Sequence, residues 1–456
     1  MSINYYKLLN RLRIICNMNK FIKSTIILII GGFITKILGM IIKIVITRII
    51  KSTGYGLYAL ILPTMMLLIS ISQLGLPTAL NVLISKNKNT KKLITASLII
   101  TLSIDIIIAI FLLLSAKYIS TTLLKEPKVY LGLLGIGLIL PFISISNILR
   151  SYYFAKERML PHVITNILED VVKLILILIF LPYFLSKGIH YAIFFIVLTN
   201  IFSELTSIIG FIILLPKFTY TKKDIKPNRG IIKSLLEIAL PTTGSRIVGS
   251  IGYFLEPIII TSVLYKVGLT NNYIITEYGV INGYVLPLIL LPSFFTMALS
   301  QALIPNVSKN YSLKKYNLVE RKIKQAIIAS LIIGIPCTII FTIIPEVPLK
   351  FIYNTSEGIN YIKFLAPICL LHYIQAPISS SLQAMNQAKT SFKGTVYGTI
   401  IRTILLFILS FKLGMWALII STSINILFVT IYDYINVKKV LKKDKYYYTS
   451  LKKCNL

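Results

Sequence analysis

The sequence predicts an all-α polytopic membrane protein with about twelve transmembrane helices in two pseudo-symmetric six-helix bundles. Three observations carry this. The 456 residues are 56% hydrophobic, with only 14% charged and a mean hydropathy of +0.81, a balance that a water-soluble domain of this length does not present without aggregating. Apolar runs of about 20 residues, long enough to cross a hydrocarbon core of roughly 30 Å, recur from end to end. Short motifs of the first half return in the second at a constant offset.

Taken in order, the apolar runs cover approximately residues 24–50, 56–84, 93–116, 129–149, 161–185, 189–215, 240–265, 278–307, 325–345, 364–385, 394–411 and 413–436. They divide the chain into a cytoplasmic N-terminal segment (1–23), a first six-helix bundle (24–216), a basic linker (217–239), a second bundle (240–436) and a basic tail (437–456). The linker carries Pro227, Asn228, Arg229 and Gly230, residues that punctuate rather than extend a helix. Met18 is a second candidate start. It would make residues 1 to 17 an extension, with Leu8, Leu9, Leu12 and Ile15 on an interfacial amphipathic helix. The N-terminus lacks the short apolar core and small-residue cleavage site of a signal peptide. Prolines fall inside spans, among them Pro63, Pro141, Pro257, Pro287, Pro292, Pro336, Pro367 and Pro377; each removes a backbone donor and tends to bend its helix.

The net charge is +33, which in a soluble protein would point to nucleic acid. Its distribution points elsewhere. Of the 48 Lys and Arg, 33 lie in the termini and even-to-odd loops, nine in the alternate loops and six inside spans. Alternation by loop is the positive-inside pattern of membrane insertion, and it places both termini in the cytoplasm. No nucleic-acid partner is expected. Cys16, Cys337, Cys369 and Cys454 show no CxxC or Cys/His spacing, so neither a disulfide framework nor a metal site is indicated.

The internal repeat is carried by Tyr55-Gly56 and Ser85-Lys86-Asn87, which recur 223 positions later as Tyr278-Gly279 and Ser308-Lys309-Asn310. Ala79-Leu80 returns in step as Ala302-Leu303, while Leu62-Pro63 returns one residue out of step as Leu286-Pro287. Ala155-Lys156 matches Ala388-Lys389, and Thr35 to Gly39 matches Ser245 to Gly249. An even number of spans between matched elements gives a parallel repeat, with its pseudo-two-fold axis along the membrane normal.

Charges inside spans are the candidate functional groups, because each costs on the order of 3 kcal/mol at bilayer depth. Lys36 and Lys43 are seven residues apart, so at about 100° per residue they share a helical face and can reach one anionic group between them. A cationic stripe within a membrane reads first as a pathway for an anion. Arg246 and Arg402 are further candidates, with snorkelling to the membrane surface the bland reading for Arg246 and the favoured one for Arg48. Among acids, Asp105, Glu169, Asp170, Glu204 and Glu256 lie in spans. Glu169 and Lys173 are four apart in the orientation that favours an intrahelical pair. Asp105 is a candidate ion-pair partner for Lys36. The three histidines are scattered, and no extramembrane loop exceeds about 25 residues. With no metal-ligand spacing, nucleophile motif or phosphate-binding glycine loop, an enzyme is not expected, nor a cofactor.

Gly31-Gly32-Phe33-Ile34-Thr35-Lys36-Ile37-Leu38-Gly39, Gly54-Tyr55-Gly56-Leu57-Tyr58, Gly75-Leu76-Pro77-Thr78-Ala79 and Ser85-Lys86 together resemble the polysaccharide-transporter branch of the MOP flippase superfamily, close to the stage V sporulation protein B and lipid II flippase groups. The likeness continues through Ile164 to Lys173 and Leu382 to Arg402. The resemblance implies a MOP/MATE-like fold in a bacterial plasma membrane, whose central cationic cavity opens by turns to each side and moves a polyprenyl-diphosphate-linked glycan outward. Lys36 and Lys43 match the first-helix basic positions of that group, and together with the intramembrane Arg246 and Arg402 they are the expected diphosphate ligands. Asp105, Glu169, Lys173, Glu204 and Glu256 are then cavity ion pairs or coupling groups for Na⁺ or H⁺. The chain departs from many members of the branch by ending after about twelve spans, without the two that form a groove for the lipid tail. Two alternatives stand beside this reading. A MATE-type Na⁺/H⁺-coupled exporter of organic cations would use Asp105, Glu204 and Glu256 as unpaired carboxylates; a non-transporting scaffold would use the charges for assembly only.

Overall fold

A computed structural model describes residues 2–85, 89–156, 158–214 and 229–454. Helices account for nearly all of it. The first half comprises α1 (Ser2–Gln73), α2 (Leu76–Ser85), α3 (Thr90–Tyr118), α4 (Tyr130–Ala155), α5 (Met159–Lys187) and α6 (Ile189–Leu214). The second comprises α7 (Arg229–Lys266), α8 (Asn271–Val280), α9 (Leu286–Ile289), α10 (Ser293–Ser312), α11 (Tyr316–Ile343), α12 (Glu346–Tyr353), α13 (Ile359–Ala384), α14 (Ala388–Leu413) and α15 (Trp416–Cys454).

Sequence spans and structural helices differ where the backbone turns inside an apolar run or fails to turn at its end. The first two runs follow one another as two helical limbs of α1, broken at Lys51 (φ 59°, ψ −174°). The second is broken again at Leu74 and Gly75, both at positive φ, and continues as α2. The eighth run is split into α8, a π-turn at Ile281–Val285, α9 and α10, with a bend of 54° ahead of α10; Pro287 and Pro292 each withhold a backbone donor there. Among the described residues eight helices are long and apolar enough to cross a membrane, or nine if this bent pair is one span. The twelve expected from the sequence also counted the two limbs of α1 and the charged helix α5, which are not among those eight. The linker expected to reach residue 239 gives way to helix by Arg229, and the tail expected from 437 continues α15 as far as Cys454. Most of the basic linker, and the side chains of the proposed N-terminal amphipathic face, lie outside what is described.

The repeat is visible as reciprocal contacts. Thr53 and Thr276, 223 positions apart, share a hydroxyl–hydroxyl hydrogen bond of 2.9 Å. A Cβ on Gly56 would stand 2.0 Å from the carbonyl oxygen of Ile275, and one on Gly279 would stand 1.8 Å from that of Ser52. Residues 52 and 275 are again 223 apart, so the same patch of each half meets its counterpart, as across a two-fold axis. Only glycine lets the two backbones approach this closely.

The buried apolar side chains explain the shape. One cluster runs through both halves near this crossing, with Tyr55, Leu60 and Ile61 from the first and Tyr278, Val285 and Ile289 from the second. At the end that carries the basic loops the core separates in two. One part, built on Leu76, Leu80, Ile148, Tyr153 and Phe211, belongs to the first half and includes Leu235 and Ala239 from the start of α7. The other, built on Leu303, Val307, Ile323, Ile378 and Leu382, belongs to the second. A core that is joined at one end and divided at the other leaves a cleft open toward the basic loops.

Candidate functional site

The first limb of α1 sorts its side chains by chemistry. Gly32, Lys36, Gly39 and Lys43 fall within about 60° of one another, and Ile30, Ile34, Ile37 and Ile41 share the opposite face. Ile42 is buried between the two faces and Ile46 beside the lysine face, and Gly31 packs on Val163 of α5. Phe33 meets Phe295 of α10 with ring centroids 5.6 Å apart, so the limb runs along the seam between the halves. The isoleucine face suits acyl chains. On the lysine face nothing lies within 4 Å of where a Cβ on Gly32 or Gly39 would stand, so that face borders open space. Lys36 is exposed there; Lys43 is half-buried, its ammonium 5.5 Å from the centre of the Tyr55 ring.

Arg246 faces the cleft from the second half. It is exposed on α7, beside Gly244 and Gly249, which also border open space. Its guanidinium donates to the Thr78 hydroxyl at 3.4 Å, and one turn on, Ser250 meets Ser70 at 3.1 Å. Only four ion pairs occur among the described residues, and none involves Lys36, Lys43 or Arg246. The expected partner for Lys36, Asp105, is engaged elsewhere: it is wholly buried and accepts from the Ser72 hydroxyl, which itself meets Ser144 at 2.9 Å.

Arg402 corrects the sequence reading. It is 7% exposed and ion-paired with Glu256, itself 6% exposed. The other Glu256 oxygen accepts from Tyr278 at 3.0 Å, and the guanidinium is 5.4 Å from the Tyr253 ring centre and 3.3 Å from the Thr422 hydroxyl. Arg402 is thus a neutralised structural cation in this conformation, not a free diphosphate ligand, and Glu256 is not an unpaired carboxylate. The expected Glu169–Lys173 pair is also replaced. Glu169 takes Arg150 of α4 at 3.2 Å, and Lys173 donates to Asn200 of α6 at 2.7 Å. An interhelical partner wins because α5 packs along α6 and also meets α4, so that Arg150 and Asn200 reach across to Glu169 and Lys173 directly. Arg48 does not snorkel freely: it donates to the carbonyls of Phe351 and Ile352 at 2.8 and 2.7 Å.

Among the described residues, buried carboxylate oxygens without a hydrogen-bond partner remain at Asp105, Glu204 and Asp433. Asp433 was not singled out in the sequence; its other oxygen accepts from Ser379 and Ser391. Arg150, Asn200 and Tyr278 were likewise missed, since each acts through a partner on another helix. Thr53 and Thr276 were within reach, because the offset of 223 pairs them.

The end away from the basic loops is closed by bonds between halves. Besides Thr53–Thr276 and Arg48, Asn271 donates to the Lys125 carbonyl at 2.6 Å and Thr261 to that of Leu123 at 3.3 Å. Outside this closure lies a polar cavity of about 730 Å³, lined from both halves by Lys51, Thr53, Thr276, Tyr284, Lys350 and Glu357.

Comparison with known proteins follows the same lines. Residues 21–311 match the polysaccharide biosynthesis protein family, and residues 281–412 match the MatE family. The stage V sporulation protein B of Bacillus subtilis (strain 168) is 33% identical over 383 residues, covering 81% of this chain and 73% of that protein. The lipid II flippase MurJ of the same organism is 21% identical over 409 residues, covering 81% and 74%. Among solved structures, an inward-facing multidrug resistance MATE family transporter of the MOP superfamily superposes with a TM-score of 0.72 at 16% identity, over 90% of this chain and 95% of that one. An outward-facing transporter of the same kind gives 0.62 at 16% identity, over 93% and 96%. The architecture is the MATE fold, and the relatives named for an activity are transporters or flippases.

Proposed function

The chain belongs to the polysaccharide biosynthesis protein family, and we propose that it moves a polyprenyl-diphosphate-linked saccharide from the inner to the outer leaflet of a bacterial plasma membrane by alternating access. The observation that carries this reading is the contrast among the intramembrane cations. Arg402 is matched by Glu256, whereas Lys36, Lys43 and Arg246 border open space without a carboxylate. A desolvated anion that accepts several charge-assisted hydrogen bonds, as a diphosphate does, supplies what these groups lack.

With the basic loops cytoplasmic, the cleft opens to the leaflet where such lipids are made. The diphosphate enters between Lys36 and Lys43 of the first half and Arg246 of the second, while the polyprenyl tail stays in lipid beyond the edge of the cleft. Rocking of the halves opens the Thr53–Thr276 closure and delivers the head into the polar cavity outside it. The printed names of the relatives bring lipid II and sporulation into range as substrate and setting. The test is flipping of a fluorescent lipid-linked sugar in proteoliposomes. Lys36→Gln should slow it by roughly tenfold or more, the worth of one charge-assisted hydrogen bond, and an unchanged rate would remove the reading.

The bare oxygen of Asp105 favours a second element, a coupling cation. A buried carboxylate without a cationic partner holds a proton or a Na⁺. Export of organic cations through Glu256 is disfavoured, because Arg402 already occupies it. Drug accumulation in cells should therefore be indifferent to Glu256→Gln beyond the loss of folded protein.

A further inference from the structure

A cavity of about 770 Å³ lies on the flank of the second half, between α11, α13 and α15. Its walls are apolar along their length: Ile323, Ile327, Leu371, Ile374, Ile431 and Leu441 all line it. Its charges are confined to one end, where Glu320, Lys324, Lys438 and Lys442 stand at the level of the basic loops. Lys324 and Glu320 form a pair at 3.0 Å, and the Lys438 ammonium lies 4.5 Å from the centre of the Tyr434 ring. Lys438 and Lys442 are exposed, and among the described residues neither is paired with a carboxylate. From Thr430 at the deep end to Lys442 at the rim the groove follows α15 for 12 residues, about 18 Å of helix. That is close to half of a hydrocarbon core of roughly 30 Å.

We propose that this groove is a site for an anionic phospholipid of the leaflet on the basic-loop side. An apolar groove that opens into a bilayer is filled by acyl chains, because an empty one forfeits dispersion contacts along its whole lining. What selects the lipid is the rim. Two uncompensated ammonium groups one helical turn apart, at the depth of the headgroups, form a basic pocket for a phosphate that carries net charge; a zwitterionic headgroup gains far less there. The groove's length accepts one acyl chain of a single leaflet, and its walls come from the second half alone. The bound lipid would brace α11, α13 and α15 as one body while the halves rock.

The test is native mass spectrometry of the full-length protein released from micelles holding equal amounts of phosphatidylglycerol and phosphatidylcholine. One phosphatidylglycerol should be retained in preference to phosphatidylcholine. Lys438→Gln/Lys442→Gln should lower its retention by roughly tenfold or more, at about 1 kcal/mol per Lys. Ile374→Trp, which fills the groove and spares the rim, should displace the lipid while thermal melting shows a folded protein. Equal retention of both lipids, or retention unchanged by the rim double variant, would overturn the proposal. So would displacement of the phosphatidylglycerol by a stoichiometric amount of undecaprenyl phosphate, which would assign the groove to a polyprenyl tail.

Discussion

Lys36 and Arg402 are both cations inside apolar helices, and their surroundings give them opposite uses. Arg402 is held by Glu256 and Thr422, and Glu256 in turn accepts from Tyr278, so removing one member of the ion pair leaves its partner charged and buried. Such a loss costs about 3–5 kcal/mol, whereas replacing a whole pair by apolar residues of similar volume is often near neutral. Glu256→Gln and Arg402→Met should each lower stability by several kcal/mol in thermal unfolding, and the double variant by clearly less than their sum. Lys36 should behave in reverse, since no neighbour depends on its charge: Lys36→Gln should leave the melting temperature nearly unchanged while flipping falls. The sequence made Lys36 and Lys43 legible because an ammonium in an unbroken apolar run must find an anionic partner, although the one expected for Lys36, Asp105, is engaged by Ser72 instead. It could not reveal that Glu256, 146 positions before Arg402, takes that guanidinium. For Glu169, local spacing pointed to Lys173, but the carboxylate is taken by Arg150 from the preceding helix.

At the scale of elements, the crossing at Gly56 and Gly279 holds the two halves together. A methyl group at either position collides with a carbonyl oxygen of the opposite half, not with a side chain that could turn aside. Gly279→Ala must push α8 away from the Lys51 turn and weaken the Thr53–Thr276 closure. A membrane-impermeant thiol reagent should then label Thr276→Cys from the outside faster than it labels the same cysteine in a protein retaining Gly279. The pair also permits the converse experiment. With their hydroxyls 2.9 Å apart, Thr53→Cys/Thr276→Cys brings two sulfurs within bridging reach. Oxidation should stop flipping and reductant should restore it, with each single cysteine variant unaffected. This crossing was half visible beforehand. The Tyr-Gly repeat marked equivalent positions, but nothing in a linear pattern shows that equivalent positions touch. Helix number was less legible, because apolar runs set how much chain lies in the membrane and the breaks at Lys51, Leu74 and Leu290 to Pro292 set how many helices it makes.

For the whole molecule, the membrane potential acts on every charge that changes sides, including the protein's own. With the cytoplasm negative, moving one negative charge outward is favoured by about 2.3 kcal/mol per 100 mV, and a headgroup of two net negative charges by roughly 4.6. The cleft divides that drive between two steps. Loaded, the diphosphate is offset by Lys36, Lys43 and Arg246, so the outward swing carries little net charge. Empty, the same three cations face outward bare, and the potential draws them back toward the cytoplasmic side. The field should therefore work mainly on the return. In proteoliposomes with an imposed potassium diffusion potential, a single flip of preloaded lipid should depend weakly on voltage, while repeated turnover should accelerate steeply as the interior becomes negative. Lys36→Gln should flatten the voltage dependence of repeated turnover, because two bare cations rather than three are drawn back on the return, while its loaded step, two cations against two negative charges, stays insensitive to voltage. A single-flip rate in the unaltered protein as steep in voltage as steady turnover would show that the cations do not travel with their ligand.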